Sequence, residues 1–312
     1  MTRASTEMAT GVQEDVVAAA GGDPSRLYAI ERDLSRVEAR STTLTLAQTR
    51  STATQSALNS IQTFASEIGV DLAASAELKN IGAAERRAAG ARSAFEGVVS
   101  ALNARVGDRS IFAGADAAGP AVASADDILA DVQARVAGAT TAVDVVNIVE
   151  DYFFTDPAGY AASGYLGSIN DAPEVDLGEG RRIDASLRAD DQAVRTTLAA
   201  LAMSVVAVEN DASALNEGER LDVFERSSLL ALEATERVID ARSRIGDAEA
   251  RIEVGVVQNS AEGAFLEAAR SAIVARDPFE AATEFTALET RLQSVFAVTA
   301  RLSSLTLTSF LR

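Results

Sequence analysis

No proline or glycine interrupts residues 25 to 68. Across them Leu27, Ile30, Leu34, Val37, Ser41 and Leu44 alternate spacings of three and four, a stripe that Leu58, Ile61, Phe64, Ala65 and Ile68 resume. That periodicity is one face of an α-helix. Asp23 and Pro24 open it, a capping carboxylate followed by a proline whose missing N–H is not needed in the first turn. Gly69 is the expected C-terminal stop. At 1.5 Å per residue such a helix is about 65 Å long. In water it needs a second helix over its stripe, so the chain must supply or recruit long helical partners.

It supplies several. A second helix is expected from about Ala83 to Val106, tolerating Gly90 and ending at Gly107 and Asp108. Helical texture returns near Asp190, with one helix over Ala193 to Glu209, a break at Asn216 to Gly218, and a long run from Glu219 to Ala275. Asp277 and Pro278 mark a joint, after which Phe285, Leu288, Leu292, Val295, Thr299 and Leu302 repeat as a heptad seam. Between the helical arms, residues 107 to 181 are punctuated by glycine and proline. Short helices are expected there from Ser124 to Val136 and from Thr141 to Asp151, with short strands at Ile111 to Phe112, Glu174 to Leu177 and Arg182 to Leu187. The expected fold is mainly α: an elongated rod of long N- and C-terminal helices packed as a coiled-coil-like bundle, with a small α+β insertion. Its divisions are an N-terminal helical arm over 1–107, the insertion over 108–189, and a C-terminal arm over 190–312 that ends in an amphipathic helix at 279–312.

Composition removes most chemistry. The 312 residues contain neither Cys nor His, so thiol nucleophiles, imidazole bases, disulfides and the usual zinc and haem ligands are absent together. No catalytic, metal or cofactor site is expected. The adjacent pairs Asp126–Asp127 and Asp190–Asp191 read as helix-start acidity, and Gly178 to Arg182 (GEGRR) reads as a turn and not as a phosphate loop. A formal net charge of −18 argues against nucleic acid and anionic membranes as partners. The opening Met1 to Gly11 has no apolar signal-peptide region, and the most apolar stretch, Leu198 to Val208, is about half of a membrane span. Export, if it occurs, uses another route. Tyr152, Phe153, Phe154, Tyr160 and Tyr165 concentrate scarce aromatics in the insertion, as its core.

Five local motifs stand in a fixed order: Ser5 to Gly11 (STEMATG) before Gly21 to Ile30 (GGDPSRLYAI), then Gly107 to Gly114 (GDRSIFAG), Arg276 to Ala281 (RDPFEA) and the tail Leu302 to Arg312 (LSSLTLTSFLR). They resemble, in turn, the small-polar and DDPAG steps, the GxYLFSGT turn, the DPxEA joint and the LSLLxFLR tail of the flagellin and hook-filament junction family. The resemblance rests on Asp23, Pro24, Phe112, Gly114, Asp277 and Pro278, and covers residues 1 to 114 and 219 to 312.

The resemblance implies a non-enzymatic, extracellular axial protein of the bacterial flagellum, exported by the flagellar type III apparatus and set between hook and filament. Its partners would be copies of itself, a hook-associated protein and flagellin. An export chaperone would cover the C-terminal amphipathic helix. The implied assembly or chaperone face is Phe285, Leu288, Leu292, Val295, Thr299, Leu302, Leu305 and Phe310. Family members carry a further amphipathic helix ahead of the small-polar step, and this chain starts at that step. The terminal seam is therefore expected to lack a partner within the chain, leaving the polypeptide monomeric in dilute solution with a flexible C-terminal segment. A flagellin filament subunit, and a cytoplasmic coiled-coil scaffold or signalling protein, are the alternatives.

Overall fold

A computed structural model describes residues 2–77, 79–209 and 214–304. The expected long helices are present and longer than the sequence stripes. In chain order the helices are α1 (Thr2–Thr10), α2 (Val16–Ala19), α3 (Ser25–Glu77), α4 (Ile81–Ala88), α5 (Ala91–Leu102), α6 (Ala125–Val136), α7 (Ala142–Glu150), α8 (Gln192–Glu209), α9 (Glu217–Val274) and α10 (Pro278–Ser304). Two antiparallel hairpins pair β1 (Arg105–Val106) with β2 (Arg109–Ser110), and β3 (Val175–Gly178) with β4 (Arg181–Ile183). The fold is mainly α, and the chain forms two compact units, a central one (Thr42–Val256) and a terminal one (Met1–Ser41 with Val257–Arg312).

The central unit is built around α8. An amphipathic helix buries one stripe, but the residues of α8 from Thr196 to Ala207 are buried on every side, as an apolar helix must be when others surround it. Its three polar positions are satisfied inside the core: Thr196 and Thr197 donate to the carbonyls four residues back at 2.7 and 2.9 Å, and Ser204 Oγ lies 2.6 Å from Ser227 Oγ of α9, which also donates to the Ala200 carbonyl at 2.8 Å. Phe95, Val98 and Leu102 of α5 join the core, as do Leu58, Ile61, Ile68 and Leu72 of α3 and Val223, Phe224, Ala231 and Val238 of α9. The aromatic cluster belongs to the same core: Tyr152, Phe153, Tyr160 and Tyr165 are buried, and Tyr160 Oη donates to the Ala189 carbonyl at 3.0 Å. Two π turns, Asp151–Thr155 and Tyr160–Gly164, deliver these rings.

Several boundaries differ from the sequence reading, each for a local reason. Gly69 does not stop α3, which continues through it. A Cβ at Gly69 would meet Ala231 Cβ at 3.2 Å and the Leu232 nitrogen at 3.4 Å, so the glycine lets α3 and α9 approach closely. At Ala89 and Gly90 the expected second helix splits into α4 and α5, and α5 ends at Leu102, not Val106. There Asn103 turns its side chain to the loop, its Oδ1 accepting from the Ala121 and Val122 nitrogens at 2.9 and 3.0 Å. The strand expected at Ile111 to Phe112 lies two residues earlier, at β2, and Phe112 is a buried core residue instead. The β3–β4 turn has positive φ at Glu179 and Gly180, the two-residue hairpin geometry that glycine favours. It sets Leu177 on a small second core with Leu44, Ala47 and Ile252.

In the terminal unit the start of α3 and the end of α9 pack antiparallel. Asn259 Nδ2 donates to the Val37 carbonyl at 3.0 Å, Arg40 pairs with Glu262 at 2.8 Å, and Gly263 admits Val37. Leu27, Ile30 and Val37 are buried there, on the predicted stripe.

Candidate assembly interface

Helix α10 begins as its sequence requires. Asp277 Oδ1 accepts from the Phe279 and Glu280 nitrogens at 2.7 and 3.3 Å, and Pro278 occupies the first turn. Along the heptad seam the burial is graded. Ala281 is buried, Phe285, Leu288 and Leu292 are half-buried, and Val295, Thr299 and Leu302 are exposed. Leu305 and Phe310 lie outside the described residues.

The gradient has a cause that sequence reading missed. Residues 2 to 10 form a helix, α1, and α1 packs on α10. The seam is thus covered within the chain over its first half, which corrects the expectation that nothing in the chain would cover it. Nine residues reach only about 13 Å along a helix of about 40 Å. Beyond that reach the apolar stripe is bare, and Phe296 (67%) and Val298 (57%) widen it.

A clasp fixes α1 in place. After Gly11, whose φ of 67° reverses the chain, Val12 pairs with Ala275 as an antiparallel bridge. Gln13 N donates to the Val274 carbonyl at 2.9 Å and Arg276 N to the Gly11 carbonyl at 2.8 Å. Glu7 is the buried hinge of this arrangement, 4% exposed. Its Oε1 accepts from the Glu14 nitrogen at 2.9 Å and from Arg3 Nε at 3.1 Å, while Arg276 Nε stands 3.8 Å from Oε2. The Glu14 N–H first, and then Arg3, hold the Glu7 carboxyl below its usual range.

That shift sets a pH dependence. A carboxylate with a depressed folded pKa stabilises the clasp above its unfolded value, about 4.3, and loses that contribution as the pH falls through the folded value. Amide protection at residues 7 to 14 and 274 to 276 is expected to fall as the pH drops below the unfolded value and through the lower folded one. Glu7→Gln should lower it already at pH 7. Unchanged protection in that variant would show that the backbone bridge alone suffices.

The opposite face of α10 has a different chemistry. Ala282, Thr283, Thr286, Ala287, Thr290 and Ser294 line a shallow open surface, with Phe279 and Arg291 also in its lining. The hydroxyls of Thr283, Thr286, Thr290 and Ser294 each donate to the carbonyl four residues back, at 2.8 to 2.9 Å. With its hydroxyl spent on its own helix, a threonine presents mainly its methyl group. The face is therefore low, flat and more apolar than its composition suggests, the form that lets another helix come close. Its signal in sequence is small residues at helical spacing, masked by nominal polarity.

The remaining motif residues are structural. Asp23 caps α3 through the Ser25 nitrogen at 3.0 Å and is held below the usual carboxylate range by Ser25. Phe112 is fully buried and its carbonyl accepts from Ala189 N at 2.9 Å. Gly114 has a φ of 65°. Phe112 and Gly114 belong to the central unit, while Asp23, Pro24, Asp277, Pro278 and the seam belong to the terminal one. Among the described residues, no group of three acidic side chains is arranged to hold a metal ion.

Residues 230–311 match the model of the bacterial flagellin C-terminal helical region. No curated protein matches the chain in sequence. A solved structure from Vibrio parahaemolyticus, described as a flagellar hook-associated protein, superposes with a TM-score of 0.52 over 80% of this chain and 98% of that one. The two are 12% identical, a likeness of fold.

Proposed function

We propose, from the premise that this chain belongs to the flagellin and hook-associated family, that it is the adaptor at the junction of hook and filament, assembled by helix packing and not by chemistry. The family is one of structural proteins of the flagellum, outside the cell. The observation that carries the reading is α10, which offers two faces of opposite character, a half-covered apolar seam and a flat small-residue face. A subunit in a ring of helices needs two such faces, one for each neighbour. Copies of the chain, a hook-associated protein below and flagellin above are the partners this arrangement suits. Before export, the seam from Val295 onward is the surface a chaperone would cover.

Deletion of the gene tests the reading. Hooks should assemble and end bare, with unpolymerised flagellin released into the medium. Intact filaments would sink the junction role. The match to the flagellin C-terminal region favours a second reading, a filament subunit. Under it, antibody to this chain would decorate the whole filament and the deletion strain would release no flagellin.

A further inference from the structure

The central unit contains a cavity of about 380 Å³, walled by α3 between Thr43 and Thr54, by Arg109 to Ala117, and by residues 172–175 and 185–186. Two guanidinium groups stand in its wall, those of Arg50 and Arg109. Several other arginines of this unit are matched with acids, among them Arg92 with Glu209, Arg135 with Asp156, and Arg188 with Asp190. Arg50 and Arg109 make no ion pair among the described residues, although the chain carries a net charge of −18. Glu174 shares the wall without pairing with either.

The charged form of Arg50 is penalised twice, by burial first and by the like charge of Arg109 second, and both push its pKa down. Two cations held near each other in a partly dry wall are unfavourable unless an anion joins them. Beside them Ser110 is 6% exposed, and its Oγ has no hydrogen-bond partner among the described residues. A buried hydroxyl left unpaired is unfavourable, so it too favours a ligand with an acceptor. The rest of the wall is apolar, from Leu46, Ala47, Ile111 and Val175. The volume suits a compact organic molecule.

We propose that this cavity binds a small organic oxyanion, a carboxylate or phosphate on a partly apolar skeleton, held between Arg50 and Arg109 with the Ser110 hydroxyl as an additional donor. The site is independent of α10 and of the assembly reading. Its position on α3, on the β1–β2 hairpin and on the segment before β3 means that an occupant ties three sequence-distant segments together.

Purified full-length chain is titrated by calorimetry with hexanoate, glucuronate and inorganic phosphate at constant ionic strength, with hexanol and glucose as neutral controls. At least one anion should bind below about 10 mM while its neutral counterpart does not. Arg109→Gln, at an exposed position, and Arg50→Gln/Arg109→Gln should each weaken that binding roughly tenfold or more. Arg251→Gln, on the exposed side of α9, should leave it unchanged. Absence of binding by all three anions, or undiminished binding by Arg109→Gln and the double variant, would overturn the proposal. So would an equal loss in Arg251→Gln, which would reveal a net-charge effect.

Discussion

Replacing Leu288, Leu292, Val295 and Leu302 together by glutamate is expected to abolish assembly while leaving the melting of the central unit unchanged. The four residues share the seam of α10, yet none contributes to the core of the central unit. Their apolar area is available for a partner: Val295 is 56% exposed and Leu302 is 64% exposed. Each such side chain contributes about 1.5–3 kcal/mol when it goes from exposed to fully buried, so Val295 and Leu302 together amount to roughly 3–6 kcal/mol per subunit, and the half-buried Leu288 and Leu292 add less. Glutamate removes that gain and adds carboxylates that would have to be stripped of water in a helical interface. Two readouts decide the matter. Electron microscopy should show bare hooks on cells carrying the variant, and calorimetry of the purified chain should show the main transition within about 2 °C of the parent. Because Leu288 and Leu292 are half-buried on the face where α1 packs, the pair Val295→Glu/Leu302→Glu serves as the milder test, beyond the reach of α1. Normal filaments on cells carrying either variant would remove the seam from the assembly surface.

The seam was readable in sequence because it depends on period alone. A spacing of three and four places residues on one face whatever the partner is, so α3, α9 and α10 could be drawn from their stripes. Glycines were read less well. Gly69 and Gly90 look alike in sequence, but one sits where Ala231 crosses at 3.2 Å and the other where two helices part, and only the approach of a neighbour separates those roles. The clasp was invisible for a related reason. Its bonds join Gly11 and Gln13 to residues 274–276 through backbone atoms, which carry no side-chain signature. Arg3 and Glu7 stand four apart, and nothing in that spacing announced that Glu7 would be buried. The pairing of Arg50 with Arg109 in one wall depends on α3 passing the β1–β2 hairpin, and that is a fact of topology and not of pattern. On α10, the small-residue face was hidden by its threonines, which count as polar until their hydroxyls are found turned back onto the helix.

A single methyl group at Gly114 should destabilise the central unit more than any loss of one surface contact. Gly114 has a φ of 65°, a region in which an L side chain costs about 1–2 kcal/mol. The methyl would also stand 2.5 Å from the Asn170 carbonyl oxygen and 2.9 Å from that of Ser168, both backbone atoms that cannot rotate away. Those segments are tied on either side of the glycine, Ala115 N to the Asn170 carbonyl at 3.0 Å and Ser168 N to the Ala113 carbonyl at 2.9 Å. Relief therefore requires the backbone to shift next to Phe112, which is fully buried. Overpacking of that kind adds about 1–3 kcal/mol. For Gly114→Ala the sum is roughly 2–5 kcal/mol, a fall of about 5–15 °C in the melting midpoint for a unit of this size. Gly107→Ala is the matched control: its φ is 64°, and a methyl there meets nothing within 4 Å. It bears the conformational cost without the collision, so its midpoint should fall by only about 2–8 °C. The difference between the two variants isolates the close approach at Gly114. Equal midpoints would mean that backbone conformation alone, and not packing against Asn170 and Ser168, reserves this position for glycine.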